Sequence, residues 1–488
     1  MSLRGRTIDA VGWTTGAKVA HQVLQLGLAI VLTRLLGPEA FGLIGMVLVF
    51  SGFAAVFSEL GFASALIQRQ DLREDHRSTA FWLTLGMAAA LAAIMALAAP
   101  LIAGFYREPR LGPLTTWLSL GFVLSAPGLV PGALLQKALR FDVLAKVSIA
   151  TLAVSGTAAV TVAAAGGGVW SLVVERLVSS LAGSTFLLWL GGWRPRLLCS
   201  RRALRELFAY GAGLTGFKLV NYWARSADKL LIGRLLGSEA LGLYSRAYSL
   251  MLLPLTQVVS VLAPVMLPAL ASIQTDTSRV RWAFLRVIRL LTFVTFPMML
   301  GLAVVAEPFV LGLFGTAWRG VIPVIQILAV VGVTQALCNP TGWIYMSQGR
   351  TDWMLWWGVG AGTFLVLAIV VGISIGTVEA VALAYLIGNL VITAPCLAVP
   401  GRLIDMTLHD VWIAIRGNLL CAIVMAVAVG AGGRALPPDL TPLARLAIQV
   451  VIGVVVYAAS ALLSRQGVLG DLKTIRVHLA SRRPSSVP

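Results

Sequence analysis

Two stretches of this sequence are near-copies of each other: RLLGPEAFGL at residues 34–43 and RLLGSEALGL at residues 234–243. Eight of the ten positions are identical, at an offset of 200 residues, and the same offset pairs Thr15-Gly16-x-Lys18 with Thr215-Gly216-x-Lys218. The match stays in register over nearly thirty residues. Similarity of this length predicts two copies of one structural unit rather than a chance resemblance.

The sequence around the two copies is that of a membrane protein. The chain has 488 residues, of which 58% are hydrophobic and only 12% are charged, and its mean hydropathy is +0.89. Apolar runs of about 20 residues, the length of a bilayer-crossing helix, recur along the whole chain. We therefore predict an all-α polytopic membrane protein with about fourteen transmembrane helices. No short apolar core with a cleavage site follows the basic N-terminus, so we expect no removed signal peptide.

Six predicted spans separate the two copies, so both lobes are expected to enter the membrane in the same direction. This is the parallel-repeat arrangement, with a pseudo-twofold axis along the membrane normal. The predicted organisation is an N-lobe of six helices at 1–192, a basic linker at 193–205, a C-lobe of six helices at 206–400, a C-terminal pair of helices at 401–464, and a basic tail at 465–488.

Lysine and arginine are distributed unevenly between the two sides of this arrangement. With the N-terminus inside, about 25 of them fall in inner segments and about seven in outer segments. This bias predicts that both termini are cytoplasmic, and it accounts for the net charge of +18 without a nucleic-acid partner. The four cysteines are scattered in or beside apolar helices. We expect them to be small core residues, because their spacing fits neither a zinc site nor a disulfide framework.

Each copy of the repeat contains a predicted tight turn between two helices. Gly37 and Gly237 lie where a helix C-cap favours a residue without a Cβ atom. Glu39 and Glu239 fall at the start of the following helix, where the helix dipole favours a carboxylate. The motif therefore predicts a helical hairpin in each lobe.

The helix that precedes each turn has a polar, mainly basic face. Its residues recur at the spacing i, i+3, i+4, i+7, which places them on one side of a helix. We call this set the polar stripe: in copy one it is Lys18, His21, Gln22 and Gln25, and in copy two it is Lys218, Asn221, Tyr222 and Arg225, continued by Asp228 and Lys229.

The cations of the polar stripe are costly in a membrane. Each Lys or Arg facing lipid at mid-bilayer costs about 3 kcal/mol, so Lys18, Lys218 and Arg225 together would cost about 9 kcal/mol. They must face protein or a water-filled cavity, and an un-neutralised cationic cavity requires an anionic ligand. The alternative is structural, with these side chains joining helices through hydrogen bonds to carbonyl groups. Asp228, one helical turn after Arg225, is expected to tune the charge of the cavity.

An acidic residue, Glu59, and a glycine motif lie outside the stripe. Glu59 lies near the inner end of the second predicted helix, where it either couples transport to an ion or extends to the interface as an ordinary surface residue. Gly211, Gly213 and Gly216 spell G-x-G-x-x-G, but no strand precedes them, so we assign them to helix packing rather than dinucleotide binding.

Together with the repeat and the basic stripe, the block RLLGSEALGLYSRAYSL at 234–250 resembles the Wzx-type polysaccharide flippases of the multidrug/oligosaccharidyl-lipid/polysaccharide exporter superfamily. The resemblance implies that the protein moves undecaprenyl-diphosphate-linked oligosaccharides across the bacterial cytoplasmic (inner) membrane, for surface polysaccharide biosynthesis such as lipopolysaccharide O-antigen, capsule or exopolysaccharide. It implies alternating access by rocking of two lobes without ATP, and a lipid-tail groove formed by the last two helices.

The resemblance also implies roles for individual residues. The positions that match the family's diphosphate-binding cations are Lys18, Lys218 and Arg225, with Arg246 as a further candidate. The polar side chains of the stripe suit the sugar hydroxyls, and we assign substrate binding to His21, Gln22, Gln25, Asn221, Tyr222 and Lys229. No catalytic residue, metal or cofactor is expected. A coupling ion, sodium or proton, is left open, and a polysaccharide polymerase and chain-length proteins are candidate partners.

Two alternatives stay open from the residues. A multidrug exporter or lipid II flippase of the same superfamily would share the fold, although an exporter of cationic drugs favours acidic residues at depth. A membrane glycosyltransferase or polysaccharide polymerase usually needs a long outer loop with catalytic carboxylates. No predicted outer loop here exceeds about fifteen residues, which disfavours an enzyme.

Overall fold

The computed structural model of the protein describes residues 3–59, 62–68 and 72–463. Within these ranges the chain is helical throughout, apart from short turns and one extended linker. Contacts between Cα atoms divide the chain into two compact units, Met1–Gly242 and Leu243–Pro488. The sequence-based boundaries of the lobes, the linker and the C-terminal pair stay predictions.

In the first unit the described residues form seven helices and the start of an eighth. They are α1 (Leu3–Leu35), α2 (Pro38–Glu59), α3 (Phe62–Gln68), α4 (Glu74–Tyr106), α5 (Leu111–Lys137), α6 (Phe141–Ala164), α7 (Trp170–Leu190) and the first part of α8 (Arg201–Ser272). The helix α4 packs against α5, α5 against α7, and α7 against α6. The helix α1 packs against α6, and α2 against α4 and α5.

The second unit repeats this neighbour order. Its helices are the remainder of α8, α9 (Thr277–Val304), α10 (Ala306–Leu313), a 3-10 turn (Thr316–Trp318), α11 (Val321–Cys338), α12 (Thr341–Ser347), α13 (Thr351–Ser374), α14 (Val378–Gly401), α15 (Leu408–Ala435) and α16 (Pro442–Leu463). The helix α9 packs against α11, α11 against α14, and α14 against α13. This recurrence supports two copies of one unit; the symmetry axis itself stays a prediction.

The helices are long and apolar enough to cross a membrane. Among the described residues eleven helices meet this condition, or up to twelve if one bent pair in α8 is a single span. The part of α1 at Val19–Leu35 is apolar but shorter. The protein is therefore an all-α, multi-pass membrane protein, and the count of fourteen stays a prediction. The helices α11 and α12 together form one candidate span, Val321–Ser347, interrupted at Pro340, which cannot donate a helical hydrogen bond.

The two repeated turns differ in backbone conformation. Gly237 has φ 90° and ψ −178°, a region that is essentially restricted to glycine. Gly37 is not among the residues with positive φ. It precedes Pro38, and a residue before proline is driven toward extended backbone, whereas Ser238 imposes no such restriction. The predicted helix C-cap conformation is therefore wrong at Gly37. Glu39 lies in the first turn of α2, as predicted.

The basic linker is attached to the first turns of α4. The indole Nε1 of Trp193 donates to Glu74 Oε1 at 2.9 Å, and the backbone N–H of Ser200 donates to Thr79 Oγ1 at 3.0 Å. The indole Nε1 of Trp82 donates to the carbonyl of Arg196 at 2.8 Å. Two segments that the charge distribution places on the inner side therefore lie together in the first unit.

Two predicted outer segments also meet in this unit. The guanidinium of Arg110 bonds the carboxylates of Glu108 and Glu39, which joins the turn before α5 to the first turn of α2. The hydrogen bond from Arg110 holds the pKa of Glu108 below its usual range. All three groups are solvent-accessible, so we assign this cluster to local order rather than to a large gain in stability.

A single native cysteine offers a test of the predicted orientation. The prediction that the four cysteines are core residues is wrong for Cys199, which is exposed in the linker, whereas Cys396 and Cys421 are buried and Cys338 is half-buried. We expect a membrane-impermeant maleimide to label the protein in inside-out vesicles but not in intact cells, and Cys199→Ser to remove the label. Labelling of Cys199 in intact cells would reverse the predicted orientation.

Candidate substrate-binding site

The structure describes part of the polar stripe. His21 and Gln22 are half-buried on α1 and Gln25 is exposed. The side chains of Lys18, Lys218, Asn221, Arg225 and Glu59 lie outside the described residues, so their predicted roles stay predictions.

Tyr222 is the best-defined member of the stripe on α8. Its hydroxyl donates to the backbone carbonyls of Val49 at 2.6 Å and Leu48 at 3.2 Å, both on α2. A Cβ atom at Gly52 would collide with this hydroxyl, so glycine leaves room for the approach. Tyr222 therefore joins two helices through carbonyl groups, as the structural alternative for the stripe describes. Its predicted contact with sugar stays a prediction.

The two charged residues that follow on α8 are half-buried. The Oδ1 atom of Asp228 accepts from the backbone N–H of Lys229 at 2.7 Å. This contact fixes the carboxylate beside its own helix. The pairing of Asp228 with the side chain of Arg225 or Lys229, and its charge-tuning role, stay predictions.

Arg246 lies in the second unit, among aromatic rings. Its guanidinium carbon is 5.4 Å from the ring centroid of Phe314 and 6.0 Å from that of Trp318. These distances are those of cation–π interactions, which stabilise a cation that has left water. The two aromatic rings hold the guanidinium of Arg246 within the fold. Its contact with a diphosphate stays a prediction.

Tyr244 is fully buried and its ring stacks on that of Tyr248, with centroids 5.9 Å apart. The ring of Tyr248 lies 6.3 Å from that of Tyr385. Tyr244 is therefore a core residue of the second unit.

An apolar cavity lies beside the Tyr222 contact in the first unit. Its volume is about 740 Å³, within the range of small-molecule pockets. We call it the apolar groove; its lining residues come from α2, α4 and α8 and include four phenylalanines: Phe50, Phe53, Phe57 and Phe105. Phe53 also contacts the ring of Tyr222, with centroids 6.3 Å apart. Leu230, which lines the groove, directly follows Lys229 on α8.

The sequence analysis missed the groove, because its lining residues are ordinary membrane-helix residues. It also missed a reciprocal contact between the two repeated motifs. A Cβ atom at Gly42 would overlap the carbonyl oxygen of Ser238, and one at Gly242 would overlap that of Pro38. These are equivalent positions at the offset of 200 residues, so the A-x-G-L segment shared by both copies was the available signal. No group of three His, Cys, Asp or Glu residues suited to a metal occurs among the described residues.

Comparisons with known proteins relate the chain to polysaccharide biosynthesis proteins. Residues 31–323 match the family model described as polysaccharide biosynthesis protein. The chain is 31% identical over 399 residues to the lipopolysaccharide biosynthesis protein WzxC of Escherichia coli, covering 80% of each chain. It is 30% identical over 341 residues to the teichuronic acid biosynthesis protein TuaB of Bacillus subtilis, covering 70% of this chain and 71% of that one.

Solved structures share the fold at low sequence identity. The lipid II flippase MurJ in an inward closed conformation gives a TM-score of 0.70 at 13% identity, with 93% of this chain and 98% of that chain covered. An inward-facing multidrug transporter of the MATE family gives 0.62 at 17% identity, with 79% and 94% covered. At these identities the similarity concerns the fold alone.

Proposed function

Because the chain belongs to the polysaccharide biosynthesis protein family, we propose that it is a flippase for undecaprenyl-diphosphate-linked oligosaccharides, not an enzyme. The proposal places it in the bacterial inner membrane, where it supplies repeat units for a surface polysaccharide. The observation that carries it is the position of the apolar groove directly beside the polar stripe of α8. An amphiphilic substrate needs both surfaces at once, one for its charged sugar end and one for its isoprenoid tail.

In this proposal the charged end of the substrate contacts the polar stripe. A diphosphate carries about two negative charges, and Lys and Arg bind such groups through charge-assisted hydrogen bonds. The cations assigned to it are Lys18, Lys218 and Arg225. The alternative of a cationic drug as substrate is disfavoured, because like charges repel and the stripe has more Lys and Arg than Asp and Glu.

The isoprenoid tail would lie in the apolar groove. Groove and bilayer are equally apolar, so the tail gains little hydrophobic free energy by moving between them. The groove thus guides the tail and keeps it next to the stripe while the sugar crosses. This assignment differs from the tail groove that the family resemblance places at the last two helices, α15 and α16.

A transport assay tests the function directly. The purified chain is reconstituted in proteoliposomes with a lipid-linked oligosaccharide in the inner leaflet, and the arrival of sugar outside is followed with an impermeant glycosidase. We expect faster arrival than in protein-free liposomes. A fluorescent organic cation serves as the competing substrate. Transport of the cation without transport of the oligosaccharide would favour the multidrug alternative, and transport of neither would contradict the proposed function.

Two neighbouring residues on α4 provide a test of the groove. Ala98 lines it, whereas Leu97 is 79% exposed and does not. We expect Ala98→Trp to fill part of the groove and slow transport about tenfold, equivalent to about 1.4 kcal/mol in the barrier. Leu97→Trp places the same indole on the lipid-facing surface and should transport normally. Equal rates for the two variants, in protein that transports, would contradict the groove assignment alone.

A further inference from the structure

An arginine outside the polar stripe lies at one end of the apolar groove. Arg234 follows Leu230 by four residues within the helical part of α8, so the two side chains lie one turn apart on the same face. Leu230 and Phe105 both line the groove. The guanidinium carbon of Arg234 is 5.4 Å from the centroid of the Phe105 ring. The apolar lining therefore ends at a cation.

The guanidinium of Arg234 has an aromatic neighbour but no counter-ion. Among the described residues it makes no hydrogen bond and no ion pair, and the outer carboxylates of Glu39 and Glu108 bond Arg110 instead. Arg234 is half-buried. The face of the Phe105 ring attracts a cation, but it does not use the N–H groups at the edge of the guanidinium. These donors are available for a ligand.

This end of the groove is the one that the charge distribution places toward the outer side. Phe105 is the last lining residue on α4, one residue before the helix ends at Tyr106, and Arg234 lies in a predicted outer segment. An ionisable side chain in a membrane helix is costly, so it generally faces protein, water or a ligand. The groove accepts an apolar chain and its outer end accepts an anion. An amphiphilic anion uses both surfaces.

We propose that Arg234 binds a phosphate of the lipid-linked substrate at the outer end of the apolar groove, an inference that rests on the proposed function. The guanidinium donates parallel hydrogen bonds to the phosphate oxygens while its face stays on Phe105, a combination that suits arginine better than lysine. Arg225 of the polar stripe precedes Arg234 by nine residues, about 13 Å along the helix axis. The stripe thus holds the diphosphate before crossing, and Arg234 holds it afterwards.

The test compares two probes with the same tail: undecaprenyl diphosphate, and undecaprenol, which has no phosphate. Their retention by the purified full chain is measured by native mass spectrometry in detergent. The stripe is first silenced by replacing Lys18, Lys218 and Arg225 with glutamine, so that any remaining preference for the diphosphate comes from another site. Because a lost hydrogen bond to a charged group weakens binding about tenfold or more, adding Arg234→Gln should weaken retention of the diphosphate by about that factor. Retention of undecaprenol should not change.

Arg107→Gln is the matched control, since Arg107 is exposed, directly follows α4 and does not line the groove. It removes the same charge and should leave both probes bound as before. Equal losses in Arg107→Gln and Arg234→Gln would indicate a general effect of charge and overturn the proposal. The proposal also fails if Arg234→Gln weakens both probes equally and lowers the unfolding midpoint, because Arg234 then only positions Phe105.

A third probe, phosphatidylglycerol, separates the substrate from other lipid phosphates. Competition by undecaprenyl diphosphate but not by phosphatidylglycerol supports a substrate site. Equal competition by both would overturn the assignment and indicate a site for any anionic lipid. If the unmodified chain transports the lipid-linked oligosaccharide and Arg234→Gln retains the diphosphate fully, this inference alone is wrong. Absence of transport by the unmodified chain would contradict the proposed function itself.

Discussion

Replacing Gly42 by alanine is expected to disrupt the packing of the two repeated motifs. The added Cβ atom would overlap the backbone carbonyl oxygen of Ser238, and a backbone atom cannot rotate away as the end of a side chain can. The helices must separate, at a cost of about 1–3 kcal/mol or more, as for other overpacked cores. Gly242→Ala makes the equivalent clash with Pro38 and should behave alike. The measurement is the thermal unfolding midpoint in detergent, with the yield of monodisperse protein.

Gly86→Ala is the control for this prediction. Gly86 lies inside α4 with no heavy atom within 4 Å of its virtual Cβ atom. Alanine there should be neutral or stabilising by up to about 1 kcal/mol, because glycine is the weaker helix former. If Gly42→Ala and Gly86→Ala unfold at the same temperature, the two motifs are not in the close contact described.

Hydropathy predicted the fold class because every bilayer-crossing segment must satisfy its own backbone hydrogen bonds as a helix. The repeated sequence predicted two copies of one unit, and the recurring neighbour order of the helices supports that prediction. Details that depend on single neighbours were missed, although the neighbours themselves are visible in the sequence. Pro38 changes the backbone at Gly37, whereas Ser238 permits φ 90° at Gly237. Hydrophobic periodicity does not distinguish the two glycines, because it does not depend on the identity of the residue that follows each of them.

The candidate site was predicted less completely than the fold. The spacing of charged residues indicates which face of a helix is polar, but not what that face contacts. Tyr222 satisfies the pattern of the stripe, yet its hydroxyl is bonded to carbonyls of α2. The apolar groove is formed by residues distant in sequence, such as Phe53 and Leu230. Their meeting depends on helix packing, which no local pattern encodes.

The strongest functional effect is expected from the cations of the stripe on α8. A hydrogen bond to a charged group contributes about 1.5–3 kcal/mol, so Lys218→Ala and Arg225→Ala should each lower transport of lipid-linked oligosaccharide roughly ten- to a hundredfold. In cells, the surface polysaccharide should be lost while the protein remains inserted. Lys146→Ala, which removes an exposed charge from α6, should transport normally.

Glutamine separates the two explanations of Lys218. Its amide can donate to carbonyl groups as the ammonium does, but it carries no charge for a diphosphate. If Lys218 joins helices, Lys218→Ala should lower the unfolding temperature and Lys218→Gln should restore both stability and transport. If Lys218 binds the diphosphate, both variants should be folded and neither should transport, whereas Lys218→Arg should retain activity. Transport assays and unfolding midpoints on the same three preparations decide between these outcomes, because a structural role changes both quantities together and a binding role changes only transport.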